Sequence, residues 1–108
     1  MQIYYYPSAD EDIYNIWKIT CKKWSIQQAD EYISGLYKTI MLTAQKDKHW
    51  RQLLKDYIAD ITTNNIYYVN YKRHYIFFKE FENNAGIGII AVLHERMDIP
   101  NKIKEKII

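Results

Sequence analysis

Seven consecutive residues near the C-terminus, Val92-Leu93-His94-Glu95-Arg96-Met97-Asp98, hold the densest chemistry in the chain. A histidine can give or take a proton near neutral pH. An arginine presents a planar fork that grips phosphate or carboxylate. The cluster therefore suits two kinds of work. One is proton transfer beside an anion clamp, with His94 as acid or base and Arg96 as the clamp. The other is a docking edge for a macromolecule, built from His94, Glu95, Arg96, Met97 and Asp98. A plainer use is also open: a histidine at a strand end can hydrogen-bond the backbone and orient the next turn. An Arg96–Asp98 surface pair would then stabilise by only ~0–1 kcal/mol.

The other reactive residues do not assemble into a site. His49, His74 and His94 lack metal-ligand spacing, and Cys21 is the only cysteine. No Gly-rich phosphate loop and no Gly-x-Ser-x-Gly elbow is present. The expectation is no metal and no cofactor.

The elements that must position the cluster follow from periodicity. Gln2 to Tyr6 is β-branched and aromatic, which predicts a strand ended by Pro7. Ser8-Ala9-Asp10-Glu11 has the form of a capping box. Ile13, Ile16, Trp17, Thr20 and Trp24 then fall at helical spacing. Ser25-Ile26-Gln27-Gln28 repeats the cap pattern ahead of a cleaner stripe: Ala29, Tyr32, Ile33, Leu36, Tyr37 and Ile40. Two helices joined at Trp24-Ser25 make a hairpin that can lay both stripes on a sheet. Cys21 falls inside this pattern as a small packed residue. Trp50, Leu53, Leu54, Tyr57, Ile58 and Ile61 keep the same spacing, so a third helix is expected over 46–61.

Beyond Thr62-Thr63-Asn64-Asn65 the period changes to that of strands. Ile66 to Tyr71 and His74 to Glu82 flank a polar turn, Tyr71-Lys72-Arg73. Tyr75, Phe77 and Phe81 fall on one face of the second strand, Ile76 and Phe78 on the other. Asn83-Asn84-Ala85-Gly86 is a strong turn signal. Ile87 to Leu93 is apolar on both faces, as an interior strand must be. Met97 to Pro100 ends the sheet, and residues 101–108 form a short helix or a frayed tail. The expected architecture is α+β: one domain over residues 1–100, with an N-terminal strand and a helical hairpin packed on one face of a small, mainly antiparallel sheet.

Composition sets the outer limits. The chain has 108 residues, 48% of them hydrophobic, enough for one core and too many for a disordered chain. The net charge is +2 and only Arg51, Arg73 and Arg96 are arginines, so direct nucleic-acid binding is not demanded. A single cysteine excludes an internal disulfide, and the N-terminus lacks the cationic start of a secretory signal. No apolar run reaches the ~18 residues of a membrane span. A reducing cytoplasm is the expected compartment.

With these residues in place, the chain resembles the RelE/ParE superfamily of bacterial toxins from toxin–antitoxin pairs, and within it the ParE branch. The resemblance is carried by Asp12-Ile13-Tyr14-Asn15-Ile16-Trp17 and by Gln28-Ala29-Asp30-Glu31-Tyr32 with Leu36. It is carried most specifically by His74-Tyr75-Ile76-Phe77-Phe78 and by the Val92 to Asp98 run. It covers roughly residues 3 to 100. Two departures fall in the middle of the chain. Lys46-Asp47-Lys48-His49-Trp50-Arg51 stands where the family has a Pro-x-x-Gly-Arg stretch, and no arginine opens the strand near Asn65-Ile66.

The resemblance implies a toxin of the plasmid-stabilisation kind, neutralised by a small cognate antitoxin. ParE-like members poison DNA gyrase, and RelE-like members cut messenger RNA on the ribosome. RelE-like nucleases keep a tyrosine or histidine after the last strand and several basic residues on the middle strands. Met97 to Ile108 contains neither tyrosine nor histidine, and the middle strands carry tyrosine, asparagine and phenylalanine instead. The first expectation is a non-catalytic gyrase inhibitor with its target-facing patch at His94 to Asp98. The alternative is an endoribonuclease using His94 and Arg96, joined by Lys72, Arg73 and His74 if the sheet brings that turn over. A third reading is an inactive remnant that still binds antitoxin. Tyr4, Tyr6, Tyr68 and Tyr71, taken as exposed, are the expected antitoxin anchors, since aromatic side chains dominate such contacts.

Overall fold

A computed structural model describes residues 2–52 and 66–107. Strand β1 (Gln2–Tyr5) leads into a helical hairpin, α1 (Pro7–Lys23) and α2 (Ile26–Ala44). A two-residue strand β2 (Arg51–Gln52) follows, then β3 (Ile66–Tyr71), β4 (His74–Glu80), a short 3-10 turn (Glu82–Asn84), β5 (Gly86–His94) and α3 (Ile99–Ile107). The sheet runs in the order β1-β5-β4-β3-β2. Among the described strands β1 on β5 is parallel and the other pairings are antiparallel. The architecture is α+β, as the residue pattern requires.

Both faces of the sheet are covered. Ala9, Ile13, Leu36 and Ile40 of the hairpin pack on Ile76, Phe78, Ile87, Ile89 and Val92. On the opposite face Ile99 and Ile103 of α3 pack on Phe77, Ile90, Ala91 and Leu93. Two-sided burial explains why β5 reads as a continuous apolar run. It also corrects the expectation that helices cover one face only. The segment after Pro100 is no frayed tail: its helix starts at Ile99, and Ile103 is fully buried.

Parallel pairing of β1 depends on a close approach that only glycine permits. Gly86 has φ +146°, and a Cβ there would meet the backbone carbonyl of Gln2. The preceding turn bends as its residues suggest, with Asn83 and Asn84 in the left-handed region. Phe77 opposes Ala91 while Phe78 opposes Ile89, so Ile90 is the extra residue of a β-bulge. The bulge sets the register that places His94 directly opposite His74.

Three local expectations change. Ser8 does not cap α1. Tyr6 is the N-cap and Pro7 takes the first turn, where its missing N–H loses nothing. The Ser8 hydroxyl instead donates to the carbonyl of the bulged Ile90 at 2.6 Å. Ser25 does cap α2, accepting from the Gln28 amide at 3.0 Å. The helix expected over 46–61 is absent from its first part: Lys46 takes φ 63° and Arg51–Gln52 pairs with β3. Trp50 leaves helical phase because its indole donates to the Thr43 carbonyl at 3.0 Å while its ring packs edge-on to Phe78. Residues 53–61 of that stripe lie outside the described residues. Finally, Cys21 is half-buried rather than packed, and Trp24 at the hairpin tip is exposed.

Candidate functional site

The β3–β4 turn and the end of β5 meet over the N-terminal half of α2. Lys72 takes φ 51° in the turn, and the Glu95 amide donates to the Arg73 carbonyl at 2.9 Å, locking turn to strand end. His74 and His94 face each other across the ladder, with ring centroids 5.1 Å apart and planes near perpendicular. Tyr32 rises from α2 and shares a 2.7 Å hydrogen bond with His74 Nδ1. The Arg73 amide also donates to the Tyr32 oxygen, which favours sending the hydroxyl proton to His74. Tyr71 completes the corner by donating to the Tyr32 carbonyl at 3.0 Å.

Burial, followed by the nearby His94, pushes the His74 imidazole down to about 4, with Glu95 opposing. His74 is therefore neutral at pH 7. Unfolded histidine binds a proton more readily, so stability falls as pH drops from ~6.5 toward 4. The full effect would be about 3 kcal/mol. Because the ring is partly open to water, screening reduces it to the order of 1–2 kcal/mol. Two-dimensional NMR titration should place His74 near 4, and His74→Gln should flatten the stability loss in that window.

His94 is committed to the backbone on one side. Its Nδ1 accepts the Arg96 amide at 3.1 Å, which places the ring proton on Nε2, and its carbonyl accepts the Met97 amide at 3.0 Å. The imidazole thus orients the following turn. Arg73 and Glu95 form an exposed ion pair at 3.3 Å, and Lys72 lies over the Tyr32 and Tyr71 rings at 5.4 and 5.5 Å. Asp98 does not pair with Arg96. Its carboxylate accepts from the Asn101 amide group at 2.6 Å and its carbonyl from the Lys102 N–H, so it serves the first turn of α3.

His94, Arg96 and Met97 line a cleft of about 1030 Å³ between the strand end and the hairpin. Glu95 and Asp98 turn to Arg73 and α3 instead. Lys72, Arg73 and His74 line the cleft, brought beside the strand end as the β3–β4 turn allows, and so do Tyr32 and Trp24, which the sequence shows only as members of apolar stripes. Tyr32 was legible only as one member of a core stripe, since its partner His74 lies 42 residues away.

A second junction stiffens the cleft from behind. β1 covers β5 only as far as Ile89, and among the described residues no strand pairs with the next backbone groups of β5 on that side. Side chains of α1 take them. Ser8 holds the Ile90 carbonyl, and the Asp12 carboxylate accepts the Val92 amide at 3.0 Å. The other Asp12 oxygen meets Lys106 of α3 at 3.2 Å. Burial raises the Asp12 carboxyl pKa, partly countered by Val92 and Lys106.

The four tyrosines expected as anchors do not share a patch. Tyr4 is 51% exposed on β1, with Tyr6 against it edge-on. Tyr6 and Tyr68 pack on the α3-side core, while Tyr71 packs on the hairpin side. Only Tyr4 is exposed; the other three are half-buried because each ring seals a core edge.

Among the described residues no group of three or more His, Cys, Asp or Glu side chains could hold a metal ion, and no helix is long and apolar enough to cross a membrane.

Strand, helical hairpin, and a mostly antiparallel sheet with its polar side chains gathered at one strand end make this a RelE/ParE-type fold. The chain belongs to the family of ParE toxins of type II toxin–antitoxin systems, parDE, whose family model matches residues 3–99. A toxin of this type has an antitoxin as its partner. No curated protein matches the chain.

Proposed function

We propose that this ParE-family toxin acts in the cytoplasm by binding and poisoning a type II topoisomerase such as DNA gyrase, without breaking bonds itself, and so stabilises the plasmid or locus that encodes it. The supporting observation is how the strand-end groups are used. His74 Nδ1 is occupied by Tyr32, His94 Nδ1 by the Arg96 amide, and Arg73 by Glu95. Each of these contacts serves the shape of the turn, while either imidazole keeps its Nε2 for proton transfer. What is left facing outward, Arg96 and Met97 beside a partly apolar cleft, is the chemistry of a contact surface. Within the proposed target-facing patch, His94 then shapes the turn, while Arg96 and Met97 make contact.

The test is a gyrase supercoiling and cleavage assay with purified toxin. Accumulated cleaved DNA supports the proposal. No effect on supercoiling or cleavage at any stoichiometry overturns it, and harmless expression in a host lacking antitoxin would identify an inactive antitoxin-binding remnant.

One observation favours the nuclease alternative. Two imidazoles, a tyrosine and Arg73 converge at one strand end, with His74 and His94 5.1 Å apart. Mapping new messenger 5′ ends in translating extract decides it: cuts that vanish in His94→Ala would establish the nuclease, and intact messages reject it.

A further inference from the structure

The two imidazoles at the strand end are set as hydrogen-bond donors by the contacts each makes through Nδ1. His94 Nδ1 accepts the Arg96 amide at 3.1 Å. His74 Nδ1 meets the Tyr32 hydroxyl at 2.7 Å, and that hydroxyl turns its proton to the ring because the Arg73 amide already donates to its oxygen. A neutral ring that accepts on Nδ1 carries its proton on Nε2. Both rings therefore keep an Nε2–H, and among the described residues no group accepts from either. They face each other with centroids 5.1 Å apart, and both line the cleft.

Charge gathers at the same place. Lys23, Lys72, Arg73 and Arg96 line the cleft with Asp12 and Glu31. Arg73 is paired with Glu95 and Asp12 with Lys106, so among the lining residues Lys23, Lys72 and Arg96 stand against Glu31. Lys72 is held close to His74, since its ammonium lies over the Tyr32 ring that bonds His74. A metal ion does not fit this arrangement. It needs the Nε2 lone pair, which these tautomers withhold, and it would add charge to a cationic corner. A carboxylate has two oxygens to offer. A phosphate group has more oxygens, enough for two N–H donors, an ammonium and the arginine fork together. The rest of the cleft, about 1030 Å³ in all, is walled by Ile16, Ile19, Trp24 and Met97. Trp24 is 70% exposed, and an open indole is a platform on which a base can stack.

We propose that the strand end binds the phosphate group of a nucleotide, free or in a DNA backbone, through His74 and His94 Nε2–H together with Lys72 and Arg96. Tyr32 is a positioning residue that fixes the His74 tautomer. The site stands whether or not gyrase is the target.

The test uses the full-length toxin. Long-range ¹H–¹⁵N NMR correlations read the tautomers, and both histidines are expected as Nε2–H. Tyr32→Phe should release His74 to a mixture of tautomers and leave His94 unchanged. A proton on Nδ1 of either wild-type ring overturns the donor pair. Titration with inorganic phosphate at constant ionic strength should shift both Nε2 resonances together. Lys72→Glu with Arg96→Glu, both exposed, should weaken that binding by about tenfold or more. Lys38→Glu, outside the cleft, should change it by less than about twofold. Resonances that do not move, or that move equally in the double variant, overturn the site. Acetate acting as strongly as phosphate overturns its class. Competition then assigns the source. Displacement of phosphate by a nucleoside triphosphate and not by duplex DNA supports a free nucleotide, and displacement by duplex DNA supports the backbone. Displacement by neither leaves binding of inorganic phosphate only and overturns the proposal.

Discussion

Asp12→Ala is expected to destabilise the domain by about 3 kcal/mol and to lower Tm by roughly 15 °C. The substitution strands two groups at once. The Val92 amide loses its acceptor on a stretch of β5 beyond the end of its pairing with β1, and Lys106 loses its counter-charge with side chains only 20% and 13% exposed in that pair. An unsatisfied part-buried donor costs about 1–3 kcal/mol, and breaking a largely buried ion pair adds to it. Against a typical total of about 5–15 kcal/mol this is a large share.

Asp12→Asn should be much milder, on the order of 1 kcal/mol, because the amide oxygen can still accept from Val92. The raised carboxyl pKa supports that ranking: burial already disfavours the charge more than its partners favour it. It also fixes the pH sign. The folded carboxyl holds its proton more readily than the unfolded one, so this contribution is full in acid and is lost as pH rises through the raised value. Chemical denaturation of Asp12→Ala in wild-type and Lys106→Met backgrounds measures the coupling, and a smaller loss in the second is expected.

Lys72→Glu combined with Arg96→Glu is expected to abolish growth inhibition while leaving the fold intact. Both side chains are solvent-exposed, so the effect on stability should stay within about 0.5 kcal/mol. Reversing two charges on a contact surface replaces attraction by repulsion at both, and target affinity should fall about 100-fold or more. His94→Gln should remain toxic, because a side-chain oxygen there can still accept the Arg96 amide and hold the turn. Growth curves with induced toxin, and circular dichroism of the same variants, read out both halves.

The parts of this molecule that a periodic pattern dictates were legible from its residues. The hairpin follows from two apolar stripes and the Ser25 cap. The β3–β5 ladder follows from β-rich runs separated by Tyr71-Lys72-Arg73 and Asn83-Asn84-Ala85-Gly86. What could not be read depends on contacts between distant residues. Ser8 looks like a cap because of Glu11, yet Pro7 already suits the first helical turn, and the hydroxyl does more against the bulge at Ile90. Trp50 sits at helical spacing and is pulled out of phase by Phe78 and the Thr43 carbonyl. The alternation of lysine and isoleucine after Pro100 does not reveal that Ile103 is buried or that Lys106 reaches Asp12.

The site shows the same division. The strand-end run His94 to Asp98 stood out by its chemistry, and its cleft-facing members are His94, Arg96 and Met97. Asp98 was diverted because α3 begins directly after it, a consequence of tertiary packing. Tyr32 entered from a different layer. The anchors Tyr6, Tyr68 and Tyr71 proved half-buried because a tyrosine ring seals a sheet edge as readily as it grips a partner.

Titration of gyrase supercoiling against toxin concentration, with wild type and His94→Gln side by side, bears most directly on action by binding. The account predicts that inhibition rises to an endpoint near a fixed molar ratio of toxin to gyrase, with superimposable curves for the two proteins. Supercoiling untouched at saturation, together with messenger RNA destroyed by far fewer toxin molecules than messages and only when His94 is intact, would contradict it.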